Sequence, residues 1–276
     1  MPLRFDAGHG GKLRIGVVTY LNARPLTSCL AQLAPDAELV VDLPSRLADG
    51  LAAGQLDVAL IPSVEYFRHP GYVVVSDACV ACDGPVRSVK LYGRVPVAQI
   101  HTLALDEGSR TSAALAQILL KERFGLQPEL EGLPIGSSLD DSAADAILLI
   151  GDRGILSAPG PFEFVWDLGE EWRRWTGLPF VFAMWIARPS ANLDTLERVL
   201  TAARDEGVLR LREIARIESP RVGISESECL AYFCDNLRFR LGPRERQALE
   251  KFSRLAVRHA HAPTGVRLAF HHHAPA

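Results

Sequence analysis

Short apolar segments alternate with amphipathic helical segments through the first part of the chain. The segment LRIGVVTY from Leu13 is apolar and β-branched and predicts a strand, and ELVVDLP and DVALI (57–61) predict two more. Between these strands, Pro25 in LNARP suits the first turn of a helix, and Ser45 is placed to cap the amphipathic segment SRLADGLAAG. This order of strand, helix and strand is typical of an α/β fold.

The same pattern returns further along the chain. HTLALDEG predicts a strand, Ser109 opens the amphipathic segment RTSAALAQILLKERFG, and AILLI (146–150) predicts the next strand. Strands that alternate with helices pair in parallel, and ligands of open parallel sheets lie beyond the carboxyl ends of the strands. We therefore expect a ligand near three loops, which span residues 20–24, 62–65 and 76–88.

Beyond the apolar segment PFVFAMWIARP the chain is mainly helical. TLERVLTAARDEGVLRLREIA and RERQALEKFSRLAVRH show amphipathic spacing, and we expect these helices to pack back on a first lobe. A chain of 276 residues exceeds one ordinary core, which favours two α/β lobes joined by a double hinge over the alternative of a single large α/β domain. The predicted parts are an N-terminal extension (1–12), a first lobe formed by 13–100 and 187–276, and a second lobe (101–186).

Composition and charge exclude several classes of protein. The net charge of −3 leaves no basic surplus for a phosphate backbone, so nucleic acid is not an expected partner. No apolar run approaches the roughly 20 residues that a membrane span needs. The polar start of the chain lacks the apolar region of an export signal, so we expect no membrane partner and a cytoplasmic location.

The cysteines and the histidine-rich tail are interpreted as structural or solvated residues. Five cysteines, an odd number in a long chain, favour reduced thiols over a disulfide framework. Cys79 and Cys82 form a CxxC pair, but no second pair and no nearby histidine accompany it. The adjacent histidines at 271–273 cannot converge on one ion as ligands spaced one helical turn apart can. We therefore predict no metal site.

The strongest physical signal is the start of the helix that follows HTLALDEG. Free backbone N–H groups, the positive end of the helix dipole and hydroxyl donors would converge there on an anion such as a carboxylate. The alternative is that Ser109 only caps the helix while Thr111 and Ser112 face solvent. The residues at this helix start are Ser109, Arg110, Thr111 and Ser112.

Other candidate ligand contacts lie in the remaining loops. Arg153 in GDRG either forms a bidentate contact with a ligand or pairs with Asp152 or a surface carboxylate. Asn22 in TYLNARP can donate and accept at once, although a turn would use an asparagine equally well. Ser88 and the backbone around Gly84 belong to a segment with a clear turn signal, the kind of loop that often carries function.

Five segments together resemble one enzyme family. They are RIGVVTYLNARPL, LDVALIPSVEY, SDACVACDGPVRSVKLYGRVPV, LDEGSRTSAALAQILL and LLIGDRGI. In this order they resemble the chorismate dehydratases of the futalosine route to menaquinone, the MqnA type of the MqnA/MqnD family. The resemblance runs from about Leu13 to Trp185, and the region beyond Pro189 matches only in length and helical character.

The resemblance implies a type II periplasmic-binding-protein-like fold that converts chorismate to 3-[(1-carboxyvinyl)oxy]benzoate and water without a cofactor. The expected partner is chorismate alone, and the chain is expected to be a monomer or a homodimer. We hypothesise that the enolpyruvyl carboxylate of the substrate takes the proton, while Asn22 and Ser88 orient it and the departing hydroxyl. The residues expected to bind the substrate are Tyr20, Ser63, Gly84, Ser109, Arg110, Thr111, Ser112 and Arg153.

Two other functions fit parts of the pattern. A solute-binding or sensor protein would have the same hinged cleft, but it would normally carry an export signal, a lipid anchor or a fused DNA-binding domain, and the sequence shows none of these. The sister enzyme of the same pathway forms dihydroxynaphthoate from a later, larger intermediate. For that enzyme we would expect a first loop rich in Cys, Pro and Asn-Asp in place of TYLNARP.

Overall fold

Two mixed β-sheets organise the chain in a computed structural model, which describes residues 12–156, 160–189 and 191–271. The strands are β1 (Arg14–Val18), β2 (Glu38–Asp42), β3 (Val58–Pro62), β4 (Val73–Cys82), β5 (Val89–Gly93), β6 (Thr102–Asp106), β7 (Glu129–Leu133), β8 (Ala146–Ile150), β9 (Phe164–Asp167), β10 (Phe180–Ala187) and β11 (Arg238–Arg240). The helices are α1 (Arg24–Thr27), α2 (Leu30–Leu33), α3 (Pro44–Ala52), α4 (Ser63–Arg68), α5 (Arg110–Phe124), α6 (Gly151–Leu156), α7 (Leu168–Thr176), α8 (Leu193–Leu209), α9 (Leu211–Val222), α10 (Glu226–Ala231) and α11 (Pro243–Arg258).

The first sheet has the strand order β11-β4-β10-β3-β1-β2. β1 pairs in parallel with β2 and β3, whereas β10 is antiparallel to both β3 and β4. Every residue of β3 and of β10 is buried, because helices cover these central strands on both sides. α3 packs against β1 and β3, α8 against β4, and α11 against β10, so the C-terminal helices do return to the first sheet as expected.

The second sheet has the order β7-β6-β8-β5-β9. β6 is parallel to β7 and β8, and β5 is antiparallel to β8 and β9. The expectation of parallel pairing is therefore wrong for β5 and β10, because each of these strands enters its sheet directly from a strand or helix of the other lobe rather than through a crossover helix. A mixed sheet of this kind still places the carboxyl ends of its parallel strands on one edge.

The chain passes from the first sheet to the second between Cys82 and Val89, and it returns between Asp167 and Phe180. The predicted lobes, 13–100 with 187–276 and 101–186, stay a prediction, but sheet membership differs from them at both crossings. β5 belongs to the second sheet and β10 to the first. An apolar segment such as FVFAMWIA indicates burial but does not specify which sheet it joins. Residues 1–11 of the predicted extension (1–12) lie outside the described residues, as do residues 272 and 273 of the histidine tail.

Ser109 caps α5 as predicted. The predicted cap at Ser45 is wrong: the N-cap of α3 is Leu43, two residues earlier, because Pro44 suits the first helical position, and Ser45 is buried within the first turn. The loop predicted at 76–88 is shorter than expected, since β4 continues to Cys82. Cys79 and Cys82 are fully buried there and burial raises the pKa of both thiols, which confirms their structural interpretation.

One aromatic cluster joins the two lobes. The fully buried Trp172 of α7 packs edge-on against Phe180 of β10 and Phe252 of α11, with ring centroids 5.1 Å and 6.2 Å away. Its indole N–H donates to the carbonyl of Pro179 at 2.8 Å. Because α7 follows the last strand of the second sheet while β10 and α11 pack in the first lobe, this contact fixes the second crossing of the chain.

Candidate active site between the two sheets

A pocket lies between the two sheets at the carboxyl ends of β1, β3 and β8, where the sequence predicts a ligand. The space between its lining atoms, open mouth included, is about 480 Å³. The lining residues are Val18, Tyr20, Asn22, Ala23, Pro44, Leu60, Pro62, Val80, Val86, Ser88, Val89, Ser109, Ser112, Ile150, Gly151, Phe182 and Ala183.

The pocket wall is apolar apart from five side chains, which belong to Tyr20, Asn22, Ser88, Ser109 and Ser112. Within the described part of the chain, the residues that line it include no aspartate, glutamate, histidine, lysine or arginine. The wall therefore offers hydrogen-bond donors and acceptors for a ligand, but neither the carboxylate nor the imidazole that usually serves as a general base.

Ser109 and Ser112 bring the start of α5 to the pocket. Ser109 is the N-cap of this 15-residue helix: its Oγ accepts the N–H of Ser112 at 3.4 Å and lies 3.1 Å from the Oγ of Ser112. Thr111 and Ser112 are both buried, so the alternative in which they face solvent is wrong. The positive end of the α5 dipole and two hydroxyl groups thus lie together at the pocket wall.

Asn22 lies in a short 3-10 turn, Leu21–Ala23, that follows β1. The N–H of Leu21 donates to Oδ1 of Asp152 at 2.9 Å, which fixes the turn against the start of α6. The side chain of Asn22 makes no hydrogen bond to any residue that the structure describes. Its amide therefore keeps both a donor and an acceptor for a ligand.

Tyr20 crosses the cleft and contacts the second lobe. Its ring lies against Gly151, where an added Cβ would stand 2.7 Å from two ring carbons, and its hydroxyl lies beside Gly108. Arg153 forms a hydrogen bond with the phenol, while burial and the charge of Asp106 raise the pKa of Tyr20. The phenol therefore stays neutral at physiological pH and can act as a donor.

Ser88 is fully buried and is held from two sides. The hydroxyl of Tyr232 donates to its Oγ at 2.8 Å. The turn before it is fixed by the carboxylate of Asp167, which accepts the N–H of Val86 at 2.9 Å and that of Arg87 at 2.6 Å. Arg87 has a φ of 61°, a backbone conformation that non-glycine residues rarely adopt. A turn constrained in this way fixes the position of the Ser88 side chain in the pocket.

Thr111 and Ser63 lie outside the pocket and contact each other across the cleft. Oγ1 of Thr111 accepts the N–H of Val64 at 3.1 Å and lies 3.4 Å from Oγ of Ser63. Ser63 also donates to the carbonyl of Val181 at 2.7 Å. These contacts join α4 of the first lobe to α5 of the second. A substrate contact by either hydroxyl stays a prediction.

The two candidate arginines do not line the pocket either. Arg110 pairs with Asp49 at 2.8 Å and with the buried Glu65 at 3.5 Å, which is a further contact between the lobes. Arg153 pairs with Asp106 at 2.6 Å. The sequence left open whether Arg153 contacts a ligand or a carboxylate, and the structure shows a carboxylate, although it is the buried Asp106 rather than the neighbouring aspartate.

The pocket lining and the predicted site residues coincide only in part. Gly84 has a φ of +131° and supports the turn, but it does not line the pocket. Phe182 and Ala183 of β10 do line it, and the apolar segment FVFAMWIA was the available signal. Tyr232 was missed because its segment, AYFCDN, has no periodicity that indicates a site. It lies in a π-helical turn, Tyr232–Asn236, a feature that is frequent near functional sites.

The described ranges contain neither a metal-ligating cluster nor a membrane-spanning helix. Within them, no group of three or more His, Cys, Asp or Glu side chains is arranged to hold a metal ion. None of the helices in these ranges is long and apolar enough to cross a membrane.

The architecture is shared with solved structures of low sequence identity. A protein of Archaeoglobus fulgidus has a TM-score of 0.76 at 15% identity, with 91% of this chain and 99% of that chain covered. The periplasmic aliphatic sulphonate binding protein of Escherichia coli has a TM-score of 0.62 at 13% identity, with 92% and 89% covered. The two sheets and the pocket between them thus define a protein of the periplasmic-binding-protein fold class, and the predicted fold is confirmed.

Sequence comparison identifies the family within this class. The family model described as menaquinone biosynthesis matches residues 13–258, and the chain belongs to this family. A chorismate dehydratase of Thermus thermophilus is 33% identical over 257 residues, which are 87% of this chain and 93% of that protein. The predicted family is confirmed, and the match includes the helices up to the end of α11, a region where the resemblance was limited to length and helical character.

Proposed function

We propose that the protein is a chorismate dehydratase, which removes water from chorismate to give 3-[(1-carboxyvinyl)oxy]benzoate in menaquinone biosynthesis by the futalosine route. One observation carries the proposal: Asn22, Ser88 and Ser109 all line the same pocket. Each comes from a different one of the segments that resemble the family. The similarity to the Thermus thermophilus enzyme over nearly its whole length supports the same conclusion.

The pocket suits a small carboxylate with an unsaturated ring. Chorismate carries two carboxylates, and we infer that one of them binds at the start of α5, beside the hydroxyls of Ser109 and Ser112. Apolar residues such as Leu60, Val80 and Phe182 line the same pocket and would contact the ring. Binding would then depend on helix and hydroxyl dipoles rather than on an arginine, since the candidate arginines are paired elsewhere.

The reaction breaks a C–H bond and a C–O bond on adjacent ring carbons. The electron pair of the C–H bond forms a ring double bond, the hydroxyl leaves, and the proton and the hydroxide together make the released water. The lining residues supply no carboxylate or imidazole for the first step. The enolpyruvyl carboxylate of the substrate is therefore proposed as the proton acceptor, and the aromaticity of the product supplies much of the driving force.

Asn22 and Ser88 are proposed as the catalytic residues that orient these groups. The two N–H hydrogens of the free Asn22 amide can donate to the enolpyruvyl carboxylate and to the oxygen of the departing hydroxyl. Ser88 can donate its hydroxyl hydrogen to one of these oxygens, since its Oγ already accepts a bond from Tyr232. Fixed donors of this kind lower the barrier where negative charge develops.

The reaction is redox-neutral, so its balance includes no electron acceptor, and the expectation that no cofactor takes part stays a prediction. A cytoplasmic location and the state of monomer or homodimer stay predictions.

Turnover of chorismate is the direct test of the proposed function. Purified protein is incubated with chorismate, and the product is followed by its benzoate absorbance and by mass spectrometry, which detects the loss of one water. Calorimetric titration measures chorismate binding separately. Turnover supports the proposal. Binding without turnover would instead support a carboxylate-binding protein, and failure to bind chorismate contradicts both.

Asn22→Asp tests the role of the free amide. The change preserves the size of the side chain but removes the N–H donor, so we expect turnover to fall by about 10²–10³-fold, the loss typical of a missing oxyanion donor. Chorismate binding should persist. The matched control is Asn192→Asp, at the N-cap of α8 outside the pocket, where aspartate caps equally well and turnover should not change. Unchanged turnover in Asn22→Asp eliminates Asn22 from the mechanism.

A further inference from the structure

We propose that Tyr232 is a positioning residue, which directs the hydroxyl hydrogen of Ser88 into the pocket; the inference rests on the proposed function. The two side chains are fully buried, and the phenol oxygen lies 2.8 Å from Oγ of Ser88. Tyr232 does not line the pocket, so it acts on the substrate only through Ser88.

The direction of this hydrogen bond determines where Ser88 can donate. Burial raises the pKa of Tyr232, so the phenol keeps its proton, and the geometry of the pair makes the phenol the donor. Oγ of Ser88 therefore accepts on one side. Among the residues that the structure describes, no atom accepts the hydrogen of Ser88 itself. The pocket is the side on which that hydrogen remains available to a ligand.

The fold holds Tyr232 and the Ser88 turn together at a second point. Tyr232 begins the π-helical turn Tyr232–Asn236, and at its end Nδ2 of Asn236 donates to the carbonyl of Pro85 at 2.9 Å. Pro85 lies three residues before Ser88 in the same constrained turn. The π-helical turn and the Ser88 turn are thus connected by two hydrogen bonds, and this limits their relative movement.

Loss of the phenol hydroxyl would leave the hydroxyl of Ser88 free to rotate. Donation into the pocket would then be weakened but not abolished, because Ser88 itself remains in place. We expect kcat to fall by about 10-fold, less than the roughly 10²–10³-fold loss that follows removal of an oxyanion donor. KM should change less than kcat, since the contacts of Ser109 and Ser112 with the substrate are untouched.

The experiment is a double-mutant cycle on turnover of chorismate. Tyr232→Phe, Ser88→Ala and the double variant are compared with wild type, and kcat and KM are measured for each. Tyr66→Phe is the matched control: it also removes a hydroxyl that donates to a protein oxygen, the carbonyl of Arg267 at 3.0 Å, but it lies outside the pocket. The control should leave kcat unchanged.

The cycle separates positioning from general damage. If Tyr232 acts through Ser88, Tyr232→Phe lowers kcat in the wild-type background and has no further effect on Ser88→Ala. An unchanged kcat in Tyr232→Phe, or an equal loss with and without Ser88, overturns the proposal. If Tyr232→Phe does not fold, as judged by circular dichroism, Asn236→Ala replaces it, and an unchanged kcat in that variant overturns the proposal in the same way.

Failure of the positioning role is distinguishable from failure of the proposed function. Wild-type turnover is measured first, and its absence contradicts both proposals. Wild-type turnover that does not depend on Tyr232 contradicts the positioning role alone.

Discussion

Replacement of Gly151 by alanine tests whether contact between Tyr20 and the second lobe closes the cleft. Gly151 has a φ of +66°, and a methyl group there would stand 2.7 Å from two ring carbons of Tyr20. Two costs follow. Alanine in the left-handed region costs roughly 1–2 kcal/mol. In addition, the ring must move, which displaces the phenol from Arg153 and weakens the contact of Tyr20 with the second lobe.

The second cost can be isolated with a matched glycine. Gly125 at the end of α5 has a φ of +71°, and no atom lies within 4 Å of the position of its added Cβ. Gly125→Ala therefore carries the backbone strain without the clash. Both variants should lose roughly 1–2 kcal/mol of unfolding free energy from the strain. Because Tyr20 and Gly151 both line the pocket, a clash that costs about 1–3 kcal/mol in the ligand-binding arrangement should raise KM for chorismate about 5- to 150-fold in Gly151→Ala alone.

Two measurements decide the outcome. Urea denaturation gives the unfolding free energy of each variant, and steady-state turnover of chorismate gives KM and kcat. A KM in Gly151→Ala equal to that of wild type refutes the reasoning. An equal rise in Gly125→Ala refutes it as well, since the effect would then come from strain rather than from the Tyr20 contact.

Two further changes test the contacts between the lobes. Thr111→Val keeps the shape of the side chain but leaves the N–H of Val64 without its acceptor, so the unfolding free energy in urea should fall by about 1–3 kcal/mol; an unchanged value would show that this contact is not stabilising. Asp152→Asn keeps an acceptor for Leu21 and removes a charge. Burial raises the pKa of Asp152 above the unfolded value of about 3.9, so the wild type loses stability as the pH rises through the folded pKa. The stability of Asp152→Asn relative to wild type should therefore increase from about pH 4 to about pH 7, and a constant difference contradicts the argument.

The sequence predicts the elements that have local signals. β3 and β8 were predictable because each is a short apolar run between turn residues, and the start of α5 was predictable because Ser109 is a good N-cap. The position of β10 was not predictable. All of its residues are buried, and a pattern without alternation gives no information on strand direction or on the partner strand.

Some residues of the candidate site could likewise be predicted from local signals, and others could not. Asn22, Ser88 and Ser109 stand in loops with recognisable turn or cap signals, and all three line the pocket. Tyr232 could not be predicted, because it meets Ser88 across 144 positions of the sequence and no local pattern encodes such a partner. The role of Arg153 was undecided because a sequence does not show that Asp106 is buried next to it.

The pairing of β4 with β10 makes the second lobe an insertion that could be replaced by protein engineering. Cys82 and Phe180 are opposite each other in neighbouring antiparallel strands, so the entire second sheet is inserted where a simple hairpin would have its tip. A tip of about 2–5 residues is enough to connect such strands. Removal of the insertion would leave all six strands of the first sheet in place. The second lobe is therefore the exchangeable part, and a different lobe grafted at this point would face the same half of the pocket.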